Sequence, residues 1–353
     1  MSLTIVEVRE AAERLGEYDS VIDARSPGEF AEDFLPRAEN WPVLDDGERR
    51  LVGTLYKQVS ALHARKVGAA LVARNVAQHI ERHVADKPRE WRPLVYCWRG
   101  GQRSGSLAWF LSQIGFRTQQ LAGGYKAFRN LVREDLDVLP ARLEFHVLAG
   151  RTGSGKTRLL QSLREQGAQV LDLEALACHR GSVLGGLPNQ PQPPQKRFDT
   201  LLWQALRALD PARPVFVESE SQKVGNVRVP DALMLRLREH GRCTVVEMDE
   251  AARVELLLQE YGFFAADPER FCRLIDGLVE LRGRDTVQHW QRQARAGDWA
   301  GVFAEMMREH YDPLYLRSMD RHFRHLAQAP RLALRDGGDE SLEAAARELL
   351  SQA

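Results

Sequence analysis

No run of about 18 apolar residues occurs in this 353-residue chain, so no helix able to span a bilayer is expected. The opening MSLTIVEVREAAERLGEYDS carries acidic residues and lacks the apolar centre of a secretory signal, which points to a cytoplasmic protein. Cysteine is scarce. The four, Cys97, Cys178, Cys243 and Cys272, never fall at C-x-x-C spacing, which argues against zinc ribbons and thioredoxin-type redox pairs. Reduced thiols are expected in that compartment, one available for catalysis and three as buried filler. Net charge is also missing: 49 Lys and Arg balance 49 Asp and Glu. No global basic field announces nucleic acid, although one local basic face is enough for RNA. Lysine is rare, standing only at 57, 66, 87, 126, 156, 196 and 223. Arginine, the better bidentate phosphate ligand, supplies the rest of the positive charge; genomic codon bias explains the same skew.

What is present reads as ordinary globular protein, with 44% hydrophobic and 28% charged residues. At roughly 100–200 residues per domain, two domains are expected. In the first, SVIDA (20–24), PLVYC (93–97) and TQQLAGG (118–124) read as strands, and 57–84 and 104–115 as helices. In the second, strands are expected in 143–150, 168–174, 214–219 and 243–249, with mainly helix after about 250. Strands alternating with helices predict α/β domains with parallel sheets. The domains are expected at 1–135 and 143–353, the second with a helical C-terminal part. GGLPNQPQPPQKR (185–197) reads as a long loop, the kind that serves as a lid.

Residues 150–157, GRTGSGKT, match G-x-x-x-x-G-K-[ST] between an apolar strand and a helical pattern. Gly150, Gly153 and Gly155 let backbone N–H groups turn toward phosphate oxygens, with Arg151, Thr152 and Ser154 completing the loop. Lys156 neutralises phosphate charge, Thr157 offers a metal ligand, and the following helix presents its positive end. An acidic partner for Mg²⁺ is expected at the end of another strand, with Glu218 first and Asp172 second. Glu174, His179 and Arg180 are further candidates near the phosphate; His179 is as readily a packed or surface residue.

YCWRGGQRSG places Cys97 between a buried strand and a helix. Gly100 and Gly101 let the loop curl, with Gln102 completing it. Arg99, Arg103 and the helix start supply positive potential that favours a thiolate nucleophile and an anion beside it. Trp98 reads equally as a stacking platform and as a packing residue. Gly68 lies inside an apparent helix, where glycine costs about 1 kcal/mol relative to alanine, so either simple helix–helix packing or a functional close approach of backbone is expected there. Arg317, Arg321, His322, Arg324, His325 and Arg331 form a basic stretch that reads either as an RNA contact or as a solvated helix face.

The N-terminal region resembles a rhodanese domain, in VIDARSPGEF (21–30) with Asp23, Arg25, Glu29 and Phe30, in AENWP (38–42), in the Cys97 loop, and in LAGGYKAF (121–128). Many rhodaneses place four residues between the cysteine and the loop arginine; here five separate Cys97 from Arg103, as in rhodanese-fold phosphatases that hold phosphate-sized anions. With the P-loop domain behind it, and with segments 56–80, 172–186, 193–207 and 218–230, the whole chain resembles the tRNA 2-selenouridine synthase family. That resemblance implies a selenotransferase acting on wobble 2-thiouridine in the tRNA anticodon loop. It implies S-geranylation from geranyl diphosphate, then selenation from selenophosphate, with no tightly bound cofactor. Cys97 would carry selenium, and Gly150, Gly155, Lys156 and Thr157 would grip the diphosphate. Three other readings stay open: a P-loop kinase with a regulatory rhodanese module, a rhodanese-fold phosphatase, and a non-catalytic RNA-binding protein. Each leaves at least one of the two motifs idle.

Overall fold

A computed structural model describes residues 3–352, the side chains of 318–322 excepted. Arg321 and His322 of the basic stretch therefore lie outside the described side chains. The chain divides into two compact units. The first comprises residues 1–135 together with 196–204, and the second comprises 136–195 and 205–353. No helix among the described residues is long and apolar enough to cross a membrane.

The first unit is built on a five-stranded parallel sheet. Its strands are β1 (Thr4–Val6), β2 (Ser20–Asp23), β3 (Ala38–Asn40), β4 (Pro93–Tyr96) and β5 (Gln119–Leu121), in spatial order β1-β5-β4-β2-β3. Strands β2 and β4 are buried at every position, as expected for strands covered on both faces. Ile22, Val95, Leu107 and Leu111 form the core beneath them with Trp41 and Trp91. The helical stretch expected at 57–84 is two helices, Asp46–Gln58 and Ala61–His83. Asp45 and Glu48 form a capping box at the first, and the Ser60 side chain accepts from the His63 N–H to start the second. Gly68 is buried, and a Cβ there would meet Val52 at 3.4 Å, so its role is close packing of these two helices.

The second unit repeats the architecture. Strands β6 (Phe145–Ala149), β7 (Gln169–Leu171), β8 (Val215–Glu218), β11 (Arg242–Met248) and β12 (Arg331–Leu334) form a parallel sheet in the order β12-β11-β6-β8-β7; Lys223–Val224 (β9) and Val227–Arg228 (β10) make a small hairpin. Leu148, Leu159, Leu163, Phe216 and Val246 fill its core. A separate helical core surrounds Phe264, Phe271, Trp290 and Phe303. Strand β12 departs from the expectation of helix beyond residue 250. R-L-A-L alternates exposed and buried side chains, but four residues are too few to carry a readable period. Arg331 consequently sits on a strand and pairs with Glu247, apart from the helix Asp312–His322.

Candidate functional site

Cys97 follows β4 directly, near the middle of its sheet, and the helix Gln102–Ile114 begins five residues later. The loop between them is shaped by the segment after β5. The N–H groups of Tyr125 and Lys126 donate to the carbonyls of Cys97 and Trp98 at 2.8 and 2.9 Å. Gly124 has φ +57°, and a Cβ there would lie 2.2 Å from the Cys97 carbonyl oxygen. Gly100, at φ +65°, would place a Cβ 2.5 Å from the Leu121 oxygen. Only glycine tolerates both the left-handed backbone and that proximity.

Cys97 is buried, and the Ser104 hydroxyl donates to its Sγ at 3.1 Å. Gln120 Nε2 donates to the Gly100 carbonyl at 2.6 Å and to Ser104 Oγ at 3.0 Å, which orients that hydroxyl. Among the described residues, the N–H groups of Trp98, Arg99, Gly100 and Gly101 have no hydrogen-bond acceptor in the chain. Arg103 pairs with Glu29 at 2.7 Å, and Arg49 reaches the same carboxylate at 3.1 Å. Burial alone would raise the Glu29 carboxyl; the two arginines hold it below the ordinary glutamate range. Arg25 is fully buried, pairs with Asp23 at 2.6 Å, and stacks on Tyr125 with its guanidinium 3.9 Å from the ring centre. Asp23 and Arg25 thus build the wall of the site. A cavity of about 410 Å³ opens here, lined by Arg25, Ser26, Glu29, Arg49, Trp98 and Arg103 among others. Trp98 is 37% exposed and tilts against Tyr125. Arg99 and Gln102 are exposed.

In the second unit, residues 150–155 join β6 to the helix Lys156–Glu165, with Gly153 and Gly155 in left-handed backbone. A Cβ on Gly150 would meet the Val246 carbonyl at 2.6 Å. Lys156 Nζ donates to the carbonyls of Gly150 and Arg151 at 2.8 and 3.2 Å. Thr157 favours the ionised form of the carboxyl of Glu218, which ends the neighbouring strand β8. Glu218 therefore stands where an acidic partner is expected. Asp172 shares a cavity with Lys156, Thr157 and Glu218, while its side chain caps the helix Leu173–Ala177 by accepting from the Ala175 N–H, with Arg164 3.6 Å away.

Oxygens of Glu174, Glu218 and Glu220 lie within 4.8 Å of one another. Burial raises all three carboxyls above the ordinary range. Repulsion from Glu218 and Glu220 adds to the shift at Glu174, and Lys156 opposes it at each. Glu218 Oε1 is buried without a hydrogen-bond partner. An all-oxygen donor set of this charge, with Thr157 beside it, fits a hard divalent cation such as Mg²⁺. Together these groups line a cavity of about 830 Å³ that includes Arg158, His179, Arg180, Arg238, Tyr261, Tyr311 and Tyr315. His179 Nδ1 accepts from the Gly181 N–H, and Arg180 donates to the Glu260 carbonyl and stacks on Tyr261.

Sequence reasoning missed Glu220, Arg253 and Tyr315. Glu220 carried a signal: E-S-E-S sets two carboxylates two residues apart, on one side of an extended chain. Arg253 and Tyr315, far along the chain, carried none. Tyr315 Oη accepts from the Gly150 N–H and shares a hydrogen bond with Ser219 at 3.2 Å. The 185–197 loop is anchored through Gln192, which donates to the carbonyls of Ala177 and Val224; its Leu187 lines the cavity.

A buried cysteine in a glycine-shaped, arginine-walled loop over a parallel sheet defines a rhodanese-type unit, and the P-loop over the second sheet defines an AAA-type one. The family models agree: residues 7–131 match the rhodanese-like domain, and residues 143–274 match the tRNA 2-selenouridine synthase AAA domain. The chain is 31% identical to the tRNA 2-selenouridine synthase of Sulfurovum sp., covering 93% of this chain and 94% of that protein. It is 30% identical to that of Shewanella piezotolerans, covering 91% and 94%. With the protein of Nitrosomonas europaea it shares 38% identity over 68% of this chain and 63% of that protein. The chain belongs to the tRNA 2-selenouridine synthase family.

Proposed function

We propose that this enzyme replaces sulfur by selenium in wobble 2-thiouridine of tRNA, through S-geranylation from geranyl diphosphate and then selenation from selenophosphate. The observation that supports this best is the presence, in one chain matched along most of its length by 2-selenouridine synthases, of two separate cradles for phosphorus oxyanions. One holds a thiol and the other does not.

In the first step the P-loop amides and Lys156 bind the diphosphate, and Lys156 exchanges the Gly150 and Arg151 carbonyls for phosphate oxygens. The isoprenoid chain lies along Leu187, Leu257, Leu314 and Phe323 of the same cavity. Glu174, Glu218 and Glu220 would hold Mg²⁺, whose charge would offset that of the leaving diphosphate. The thiouridine sulfur attacks C1 of the geranyl group, and the C1–O bond breaks. In the second step the Cys97 loop, with Arg103 and Arg49, receives selenophosphate, and selenium displaces the geranyl thiolate from C2 of the base. Trp98 offers a face on which the base stacks. Arg49 and Arg103 also border a more apolar cavity of about 1160 Å³, lined by Val52, Gly68, Val72, Trp109 and Phe110, which suits the departing geranyl chain.

The test is mass spectrometry of nucleosides from 2-thiouridine tRNA incubated with the enzyme and both donors. 2-Selenouridine is expected with both, and S-geranyl-2-thiouridine with geranyl diphosphate alone. An unmodified base under both conditions would overturn the reading.

A further inference from the structure

We infer that the Cys97 loop is a phosphoryl-transfer site, in which Cys97 attacks phosphorus and not selenium. The inference rests on the selenophosphate reading above and deepens it.

The geometry comes first. Five residues separate Cys97 from Arg103, and the next residue, Ser104, donates its hydroxyl to Cys97 Sγ at 3.1 Å. Four consecutive N–H groups, from Trp98 to Gly101, lack acceptors in the chain. Glu29 holds Arg103, and Arg25 and Arg49 add charge to the cavity. A buried thiol whose loop has acceptor-free amides among the described residues, and whose loop residues Trp98 and Arg103 line a cavity with Arg25 and Arg49, suits three equatorial oxygens of a phosphoryl group under attack. The Ser104 hydroxyl donates to that sulfur and would favour its departure in the later step.

The electron count points the same way. Attack of a thiolate on the selenium of selenophosphate would expel phosphorus with a lone pair, as phosphite, which reduces phosphorus and oxidises selenium. Attack on phosphorus needs no change in oxidation state. Selenium of selenophosphate first attacks C2 of the geranylated base. The C2–S bond breaks, the electron pair leaves with the geranyl thiolate, and the base carries a selenophosphoryl group. Cys97 thiolate then attacks phosphorus; the P–Se bond breaks and its electron pair goes to selenium, giving 2-selenouridine. Water attacks the phosphorus of phosphocysteine, the S–P bond breaks, and phosphate and the Cys97 thiolate are released. Cys97 is catalytic here, while Ser104 and Glu29 are positioning residues.

The experiment is rapid acid quench of the full-length enzyme with S-geranyl-2-thiouridine RNA and selenophosphate labelled at phosphorus. Transient label on the Cys97 peptide is expected, absent in Cys97→Ser. In Ser104→Ala the label should persist about tenfold longer or more, because the departing sulfur loses the hydrogen bond from Ser104. Selenium isotopes on Cys97 without phosphorus, together with released phosphite, would overturn the inference. Should the wild type make no 2-selenouridine from this RNA, the functional reading fails, and p-nitrophenyl phosphate decides this inference separately. Vanadate-sensitive hydrolysis lost in Cys97→Ser supports it, and no hydrolysis overturns it.

Discussion

Arg253 donates to the carbonyl of Thr152 at 2.7 Å, fixing the P-loop from a helix 101 residues downstream. The same guanidinium pairs with Asp312 at 2.7 Å and is 3% exposed. Removing one partner of a buried pair leaves the other uncompensated, at about 3–5 kcal/mol. Arg253→Met should therefore lower stability by about that amount, measured by denaturant unfolding, and reduce geranylation at least tenfold at a temperature where the variant stays folded.

Glu218 separates stability from activity. It is buried beside the half-buried Glu174 and Glu220, and one of its oxygens has no partner. Glu218→Gln keeps the volume and removes a charge. Without added cation the variant should be more stable than wild type, by about 1–2 kcal/mol on the scale of a buried charge. Its geranylation should fall at least a hundredfold, as for loss of a transition-state electrostatic contact. A variant that is both less stable and fully active would contradict the assignment.

Gly124→Ala should strike the other half-reaction. Its Cβ would meet the Cys97 carbonyl at 2.2 Å, in a backbone with φ +57°. The left-handed penalty is about 1–2 kcal/mol, and the remaining clash displaces the cysteine loop. Selenation of a geranylated RNA should fall at least tenfold, while geranylation of 2-thiouridine RNA stays within a factor of about two.

Two buried histidines of the second unit contribute stability that acid removes. Burial, with Arg242 for His146 and Arg282 for His310, lowers both histidines to about 4. His310 Nδ1 accepts from Arg282 Nε at 3.0 Å, and His146 pairs with Thr244 at 2.7 Å. Each folded value lies below the unfolded 6.5. The unfolded chain therefore binds more protons, and stability present above pH 6.5 is lost as pH falls toward and through 4. The loss approaches roughly 3 kcal/mol per ring at full protonation. The raised carboxyls of Glu174, Glu218 and Glu220 act with the opposite sign, so the histidine contribution is read as a difference: from pH 7.5 to 4 the denaturant midpoint of wild type should fall relative to that of His146→Leu, and a constant difference between the two would contradict this.

Three strands of the first sheet, four of the second and the two glycine loops were legible in the sequence, because each depends on local signals: apolar runs, glycine spacing, and a cysteine or lysine at a strand end; β1 and β3, three residues each, carried too little pattern. Gly150, Lys156 and Thr157 were legible for that reason, as was Glu218 at the end of β8. Asp172 lines the same cavity and also caps a helix, because an acidic residue after a strand can do both. The rest depended on distant chain. Arg253, Tyr315 and Gln120 act on the loops through hydrogen bonds whose sequence separations carry no period. Strand β12 was too short to read, and the grouping of residues 196–204 with the first unit is a packing outcome that composition does not encode.

The most direct test of the two-site account is a crossed assay of Cys97→Ser and Lys156→Ala on two RNAs, one carrying 2-thiouridine and one already S-geranylated. With both donors present, Cys97→Ser should convert the first RNA to the geranylated form and stop, and should leave the second unchanged. Lys156→Ala should leave the first unmodified and convert the second to 2-selenouridine near the wild-type rate. Loss of selenation of the geranylated RNA in Lys156→Ala, or formation of 2-selenouridine by Cys97→Ser, would contradict the division of labour between the P-loop and the cysteine loop.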